Sequence, residues 1–195
     1  NKGIKVISEN KDSILVEVSA GENWNDFVIW AVENNYGGIE NLSLIPGNVG
    51  AAPIQNIGAY GVELKDIFYS CSGIELDSLE EFEMKKSECK FSYRNSIFKT
   101  ELKDKVVITS IKLNLTKSNH HFKIAYKELK ENLSNFELSL KVISDEVIKI
   151  RQSKLPDHKS IGNCGSFFKN PIINLSKLKK IKAEYPDLPS FKIDS

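Results

Sequence analysis

Ile45-Pro46-Gly47-Asn48-Val49-Gly50-Ala51-Ala52-Pro53-Ile54-Gln55-Asn56-Ile57-Gly58-Ala59-Tyr60-Gly61 is the stretch that decides how this chain is read. These seventeen residues hold four glycines, three alanines, two prolines and no charged side chain. Gly and Pro both oppose a helix interior, and the run is too apolar for a solvated linker. Two readings fit. The backbone packs close against something large and flat, as a bound cofactor is, with small side chains so that N–H groups can approach it. Alternatively, the run is a buried crossover loop in an ordinary core.

Two further segments bear on the choice. Ser92-Tyr93-Arg94-Asn95-Ser96-Ile97-Phe98-Lys99 surrounds an arginine with few other charges, and Gly165-Ser166-Phe167-Phe168-Lys169-Asn170-Pro171 places a serine between glycine and an aromatic ring. With the first stretch, and in this order, they resemble the flavin, arginine and serine motifs of the UDP-N-acetylenolpyruvoylglucosamine reductase family, FAD enzymes of peptidoglycan synthesis. The resemblance runs over essentially the whole chain. It implies an α+β fold: an FAD-binding domain of the PCMH/vanillyl-alcohol-oxidase-like type over 1–118, then the start of an α+β substrate-binding domain over 119–195. It also implies a phosphate-binding loop before this region and a catalytic glutamate after it. The opening Asn1-Lys2-Gly3 and the strand-like ending Phe191-Lys192-Ile193-Asp194-Ser195 agree with a central piece of such a protein.

Composition excludes several classes. At 195 residues the chain suits one large domain or two small ones. Hydrophobic content of 41% and charged content of 27% are those of a water-exposed globular protein. A net charge of +1 gives no electrostatic case for nucleic acid or an anionic membrane, and no apolar run is long enough to span a bilayer. Cys71, Cys89 and Cys164 are odd in number and form no C-x-x-C, which argues against a disulfide framework and against zinc. His120, His121 and His158 are read as surface residues, so no metal is expected. A cytoplasmic monomer is the expectation.

The periodicities place the motifs. Ser13 to Ser19 sets Ile14, Val16 and Val18 against Leu15, Glu17 and Ser19, the alternation of a strand. A helix follows Gly21-Glu22-Asn23 and runs through Tyr36, with Trp24, Phe27, Val28, Ala31 and Val32 on one face and Gly37-Gly38 as its stop. Trp24 and Trp30 read as packing residues. Phe68 to Leu76 and Val106 to Leu115 read as strands, the second with Val107, Thr109, Ile111, Leu113 and Leu115 on one face. Lys85 to Lys90 reads as a charged turn, and Thr116 to His121 as a polar boundary between lobes. Helices are predicted over Ala125 to Leu133, over Leu138 to Ser153 with an apolar stripe of Leu140, Ile143, Val147 and Ile150, and from an Asn174 cap to before Pro186. Lys141, Lys149 and Arg151 are predicted to face solvent. Strands first and helices later define α+β.

Ser166 alone reads as an ST-turn or a cap, and no Gly-x-Ser-x-Gly accompanies it. The resemblance makes it the proton donor to one carbon of an enolpyruvyl double bond as hydride reaches the other; a hydroxyl is a weak acid, so it must be held tightly in place. Arg94 reads either as an ion-pair residue or, by the resemblance, as the holder of the substrate carboxylate or the enolate that develops from it. A permanently charged fork suits that task. Tyr93 is placed among the substrate-binding residues, where it would pack and could orient Arg94. Lys154, Lys169 and Asn170 would serve the diphosphate and amide of a UDP-sugar; His158 departs from the motif around Lys154, where the family commonly has proline. Tyr126 is either an exposed ring or a loop tyrosine closing over the diphosphate. For FAD the chosen positions are Gly47, Gly50, Gln55, Asn56, Ile57 and Gly61, where amides can bond ring carbonyls and N–H groups and Ile57 can cover a ring face. NADPH would be the co-substrate, docking at the flavin face, since no Rossmann Gly-x-Gly-x-x-Gly is present. Two rivals remain at this stage: a nucleotide-holding module without turnover, and another FAD oxidoreductase of the same fold.

Overall fold

The computed structural model describes residues 1–157, 160–162 and 168–191. Five antiparallel strands form the main sheet: β1 (Ile4–Glu9), β2 (Ser13–Ser19), β5 (Phe68–Glu75), β6 (Glu81–Lys85) and β7 (Val106–Thr116). The spatial order is β1-β2-β7-β5-β6, with β7 at the centre. β3 (Gly58–Ala59) and β4 (Val62–Glu63) make a separate small hairpin. The predicted alternation of β2 is what the sheet uses: Ile14, Val16 and Val18 are at most 1% exposed, and their neighbours alternate outward.

Edge strands β1 and β6 complete the sheet although neither was predicted. β1 has no buried residue, so its sequence carries no hydrophobic contrast to read. The predicted face of β7 needs correction. Ile111, Leu113 and Leu115 do point inward, but Ile108 replaces Thr109 and Val107 is half exposed. The cause is a β-bulge: Ser72 pairs with Ser110 and Gly73 with Ile108, so Thr109 has no ladder partner and the phase flips there.

Helix α1 (Trp24–Glu33) starts at Asn23, whose side-chain oxygen accepts from the N–H groups of Asn25 (2.9 Å) and Asp26 (3.1 Å). It buries Trp24, Phe27, Val28 and Ala31 in the core that it shares with the sheet, each large side chain contributing about 1.5–3 kcal/mol. Trp24 and Trp30 are packing residues as expected: Trp24 Nε1 donates to the Leu42 carbonyl at 3.0 Å, and Trp30 stacks on Phe27. Past the helix, Gly37 exchanges both backbone hydrogen bonds with Thr116 (2.8 and 3.0 Å). A Cβ on Gly37 would lie 2.7 Å from His120 Nδ1, so the pairing needs glycine. His120 is therefore not the surface residue that was expected: it is half-buried, and its Nδ1 sits 2.7 Å from Thr116 Oγ1. Cys71 and Cys89 are buried free thiols.

A second apolar cluster joins α2 (Lys127–Asn132) to α3 (Leu140–Lys154) through Leu129, Leu133, Ile143, Val147 and Ile150. The predicted stripe of α3 is this buried face. Ser139 caps α3, accepting from Val142 N–H at 3.2 Å, and Ser144 meets Ser43 Oγ at 2.8 Å. That contact ties α3 to the 3₁₀ turn Glu40–Leu42 that leads into the signature run.

The chain divides into two compact units, Asn1–Gly162 and Asn163–Ser195. Both clusters lie in the first. The second carries α4 (Leu175–Glu184), capped as predicted by Asn174, whose side-chain oxygen accepts from Lys177 N–H at 2.9 Å.

Candidate functional site

The signature run is stapled to the segment that links β2 to α1. Ala20 N–H donates to the carbonyl of the bulged Thr109 (2.9 Å), and the Ala20 carbonyl accepts from Gly50 N–H (3.0 Å). Val49 N–H donates to Glu22, and Trp24 N–H to the Gly47 carbonyl. A Cβ on Gly50 would sit 2.6 Å from Ala20 Cβ, so this glycine is fixed by close approach. Gly47 has φ +109°, and at Gly47 and Gly61 a Cβ would meet nothing within 4 Å. Val49, Ala52, Pro53 and Asn56 are buried, whereas Pro46, Gly47, Asn48, Ala51, Gln55 and Gly61 are exposed. The run thus has two sides: one is core, and the other is an uncharged, small-residue rim open above its backbone. Such a rim fits a flavin nucleotide, whose approach side chains would obstruct.

Gln55 is free to face a ligand from this rim, and Ile57 is half-buried against the core. Asn56 is different. It is fully buried at φ +46°; its Nδ2 donates to Glu63 Oε2 (3.0 Å) and to the Ser92 carbonyl (3.1 Å), and its Oδ1 accepts from Lys65 N–H (2.9 Å). The side chain that the sequence reading offered to the flavin is occupied by protein, and it pins the signature to the arginine motif.

That motif is a tight turn. Ser92 and Asn95 exchange backbone hydrogen bonds at 3.0 and 3.1 Å, which leaves Tyr93 and Arg94 at the tip, Arg94 with φ +53°. Ser96 Oγ donates to the Ile54 carbonyl at 2.7 Å and accepts from Phe98 N–H. The Arg94 guanidinium then lies across the β3–β4 hairpin. Its Nη2 donates to the Gly58 carbonyl, and its Nη1 is 3.4 Å from Glu63 Oε1. The group also lies over the Tyr93 ring, 5.1 Å from its centroid. That contact is compatible with the packing role read for Tyr93.

At the hairpin tip Tyr60 (φ +48°) and Gly61 (φ +83°) carry the paired positive φ of a type I′ turn. An aromatic residue is an uncommon occupant of that position, and here its ring is used. Tyr60 meets Tyr126 edge-to-face at 5.1 Å, and its phenol stands within electrostatic reach of Arg151. Burial pushes the Tyr60 phenol above its ordinary pKa, opposed by the charges of Arg151 and Lys154. Burial likewise lowers the Arg151 pKa. Arg151 Nε is buried with no partner among the described residues, so Arg151 does not simply face solvent as the helix pattern suggested, whereas Lys141 and Lys149 do. Lys154 pairs with Glu128. Beside Tyr60 and Gly61 lies a recess of about 420 Å³, lined also by Phe122, Lys123 and Lys130.

The fold thus brings Tyr126 and Lys154 together, and adds Tyr60, Arg151 and Glu128, which sequence reading missed. Arg151 was within reach of that reading, because it stands one helical turn before Lys154 on the same face. Ser166 lies outside the described residues, as do Cys164 and His158. Lys169 and Asn170 are exposed in the second unit. Among the described residues no His, Cys, Asp and Glu cluster could hold a metal.

The fold is an antiparallel α+β domain with a glycine-rich, uncharged rim, and the family described as FAD binding domain matches residues 2–76. The relatives are more particular. The UDP-N-acetylenolpyruvoylglucosamine reductase of Flavobacterium johnsoniae is 49% identical over 98% of this chain and 58% of that protein. The protein of that name from Amoebophilus asiaticus is 48% identical over 96% of this chain and 56% of its own length. The chain spans little more than half the length of the curated relatives it matches. The crystal structure of UDP-N-acetylenolpyruvylglucosamine reductase from Thermus caldophilus matches the fold with a TM-score of 0.58, at 23% identity, over 86% of this chain and 53% of that one. The resemblance carried by the three motifs is borne out: the chain is homologous to proteins of that name along nearly all of its length.

Proposed function

We propose that the protein is an FAD-dependent oxidoreductase that uses NADPH to reduce UDP-N-acetylglucosamine enolpyruvate to UDP-N-acetylmuramate in peptidoglycan synthesis. The observation that carries this reading is the docking of the Arg94 turn on the signature run, which puts a forked cation beside the rim fitted to a flavin. The bound flavin would accept hydride from NADPH and deliver it to the enolpyruvyl double bond.

This chain's residues supply the rest. The exposed backbone of Gly47 and Gly61, with Gln55 and Ile57, would hold the flavin nucleotide, and Gly50 and Asn56 keep that backbone in place. Arg94 would hold the substrate carboxylate and stabilise the charge that develops as hydride adds. Ser166 would then protonate the neighbouring carbon. Tyr126 and Lys154, with Lys169 and Asn170, would take the diphosphate and amide. In this reading the functional boundary lies near 118/119, as the resemblance implies, while both apolar clusters belong to the compact unit Asn1–Gly162. A cytoplasmic monomer belongs to the same proposal; among the described residues no helix is long and apolar enough to cross a membrane.

The test is the visible spectrum of the purified protein. A flavin spectrum that bleaches with NADPH and returns with the enolpyruvyl substrate is expected. A colourless protein that FAD does not reconstitute overturns the proposal. Ser166→Ala should leave flavin reduction intact and slow reoxidation by substrate by roughly 10²–10⁴-fold, the scale of positioned proton transfer; equal slowing of both half-reactions would make Ser166 structural.

A further inference from the structure

We infer that Glu63 is a positioning residue for Arg94, holding the guanidinium in one orientation for the anion it is to bind. The inference rests on the proposed role of Arg94. Arg94 stands at a turn tip, a place where a long side chain ordinarily samples many rotamers. Here two of its amino groups are taken by the protein, Nη2 by the Gly58 carbonyl and Nη1 by Glu63. An ordinary surface ion pair would do little. This one differs in three respects. Both side chains are mostly covered, at 28% and 21% exposure. The hairpin leaves no room for a side chain at Gly58, where a Cβ would come within 2.6 Å of Nη1.

The third difference is that Glu63 is itself oriented. Its Oε2 accepts from Asn56 Nδ2 at 3.0 Å and pairs with Lys65 Nζ at 2.9 Å. The Asp66 backbone N–H also donates to its carboxylate, and Asp66 accepts from Glu63 N–H at 3.1 Å in a reciprocal cap. A carboxylate fixed from three sides cannot follow the arginine; the arginine must come to it. Charge is not cancelled in the process. Arg94, Lys65 and Lys123 together outweigh the carboxylates of Glu63 and Asp66, so an arriving carboxylate or enolate still meets net positive charge. Fixing the fork before substrate arrives removes a reorientation from the reactive complex, and misplacement by about 1 Å is enough to slow an enzyme on the order of 10²-fold.

Glu63→Gln keeps the shape and the acceptor for the cap while removing the charge. In the FAD-loaded protein, stopped-flow reoxidation of reduced flavin by the enolpyruvyl substrate should slow by on the order of 10²-fold, with KM, flavin content and flavin reduction by NADPH nearly unchanged. Arg94→Ala should slow the same step at least as much, and adding Glu63→Gln to it should slow it no further, because the two act as one unit. Independent, multiplying effects overturn the positioning role and leave Arg94 standing. Wild-type reoxidation in Arg94→Ala overturns both. Side-chain ¹⁵N NMR of the guanidinium gives a readout without turnover. The Nη signals that vanish in Arg94→Ala should show hindered rotation in the unsubstituted protein and free rotation in Glu63→Gln; free rotation in the unsubstituted protein overturns the inference whether or not the variant folds.

Discussion

A Cβ placed on Gly58 would come within 2.6 Å of Arg94 Nη1, while the Gly58 carbonyl accepts from Arg94 Nη2. The glycine is thus part of the seat of the arginine, one residue after Ile57 in the signature. The added carbon would also press on the Val62 carbonyl at 2.8 Å. Gly58→Ala should cost about 1–3 kcal/mol of stability, as small-to-large changes in packed sites do, measured by urea denaturation. It should also slow substrate reduction on the order of 10²-fold by displacing the fork. A variant with normal rate and stability would show that Arg94 lies elsewhere in solution.

Arg94→Lys tests the fork and not the charge. Lysine keeps the cation but offers one point donor where arginine offers a planar pair. A hydrogen bond to a charged group is worth about 1.5–3 kcal/mol, so the substrate half-reaction should slow by roughly 10- to 150-fold with flavin content unchanged. Turnover close to that of the unsubstituted protein would reduce Arg94 to an ion-pair residue.

The Gly50–Ala20 contact gives a test of stability alone. A methyl at Gly50 meets Ala20 Cβ at 2.6 Å and the Ala20 backbone Cα at 3.2 Å, and neither can swing aside. Gly50→Ala should destabilise by about 1–3 kcal/mol and weaken FAD retention, because the same contact sets the rim. An unchanged melting temperature would mean that the run is not fixed to the segment joining β2 to α1.

What could be read in the sequence followed from contrast. The β2 alternation, the α1 and α3 stripes, the Gly21-Glu22-Asn23 helix start and the Asn174 cap are local patterns, and the elements begin and end close to where those patterns place them. β1 escaped because both its faces are wet. The inward face of β7 was misread because a bulge at Thr109 is set by pairing with β5, not by β7 itself. In the site, the glycines and Arg94 announce themselves by residue type. Asn56 and Glu63 do not: an exposed amide and an occupied one look alike in sequence, and only long-range contacts such as Asn56 with Ser92 separate them. Arg151 was misjudged for the same reason, since Tyr60, whose charge state it feels, stands on a hairpin distant in sequence.

Asp66 gives the pH dependence. Burial alone would raise its carboxyl, but Lys123 Nζ at 2.8 Å and the Glu63 backbone N–H outweigh burial, and the pKa falls below the ordinary value. The folded state therefore holds this proton less tightly than the unfolded chain does. The stabilisation is fully present above the unfolded pKa and is lost as pH falls through the folded one, from about pH 5 downward. Asp66→Asn should be less stable than the unsubstituted protein near neutrality, and the gap should close on acidification. A gap that is constant from neutral to acid pH would show that the pair with Lys123 contributes nothing.

Tyr60 offers a discrimination within the aromatic cluster. Its phenol stands within electrostatic reach of Arg151, whose Nε is buried with no partner among the described residues. Tyr60→Phe keeps the ring, its edge-to-face contact with Tyr126 and the turn, and removes one oxygen. A phenol that serves as acceptor for this guanidinium is not replaced easily by water there, and its loss should cost about 1–3 kcal/mol, the cost of an unsatisfied buried donor. Tyr126 is 43% exposed, so its hydroxyl has water as an alternative partner. Tyr126→Phe should therefore change stability by less than about 0.5 kcal/mol, as surface substitutions usually do. Urea denaturation of the two variants compares them directly. Equal and small losses would mean that the phenol makes no hydrogen bond to Arg151 that water does not replace. Loss confined to Tyr60→Phe, reversed when Arg151 is also replaced by Met, would assign the stabilisation to that bond, because with no guanidinium left to satisfy the missing oxygen has nothing to leave unpaired.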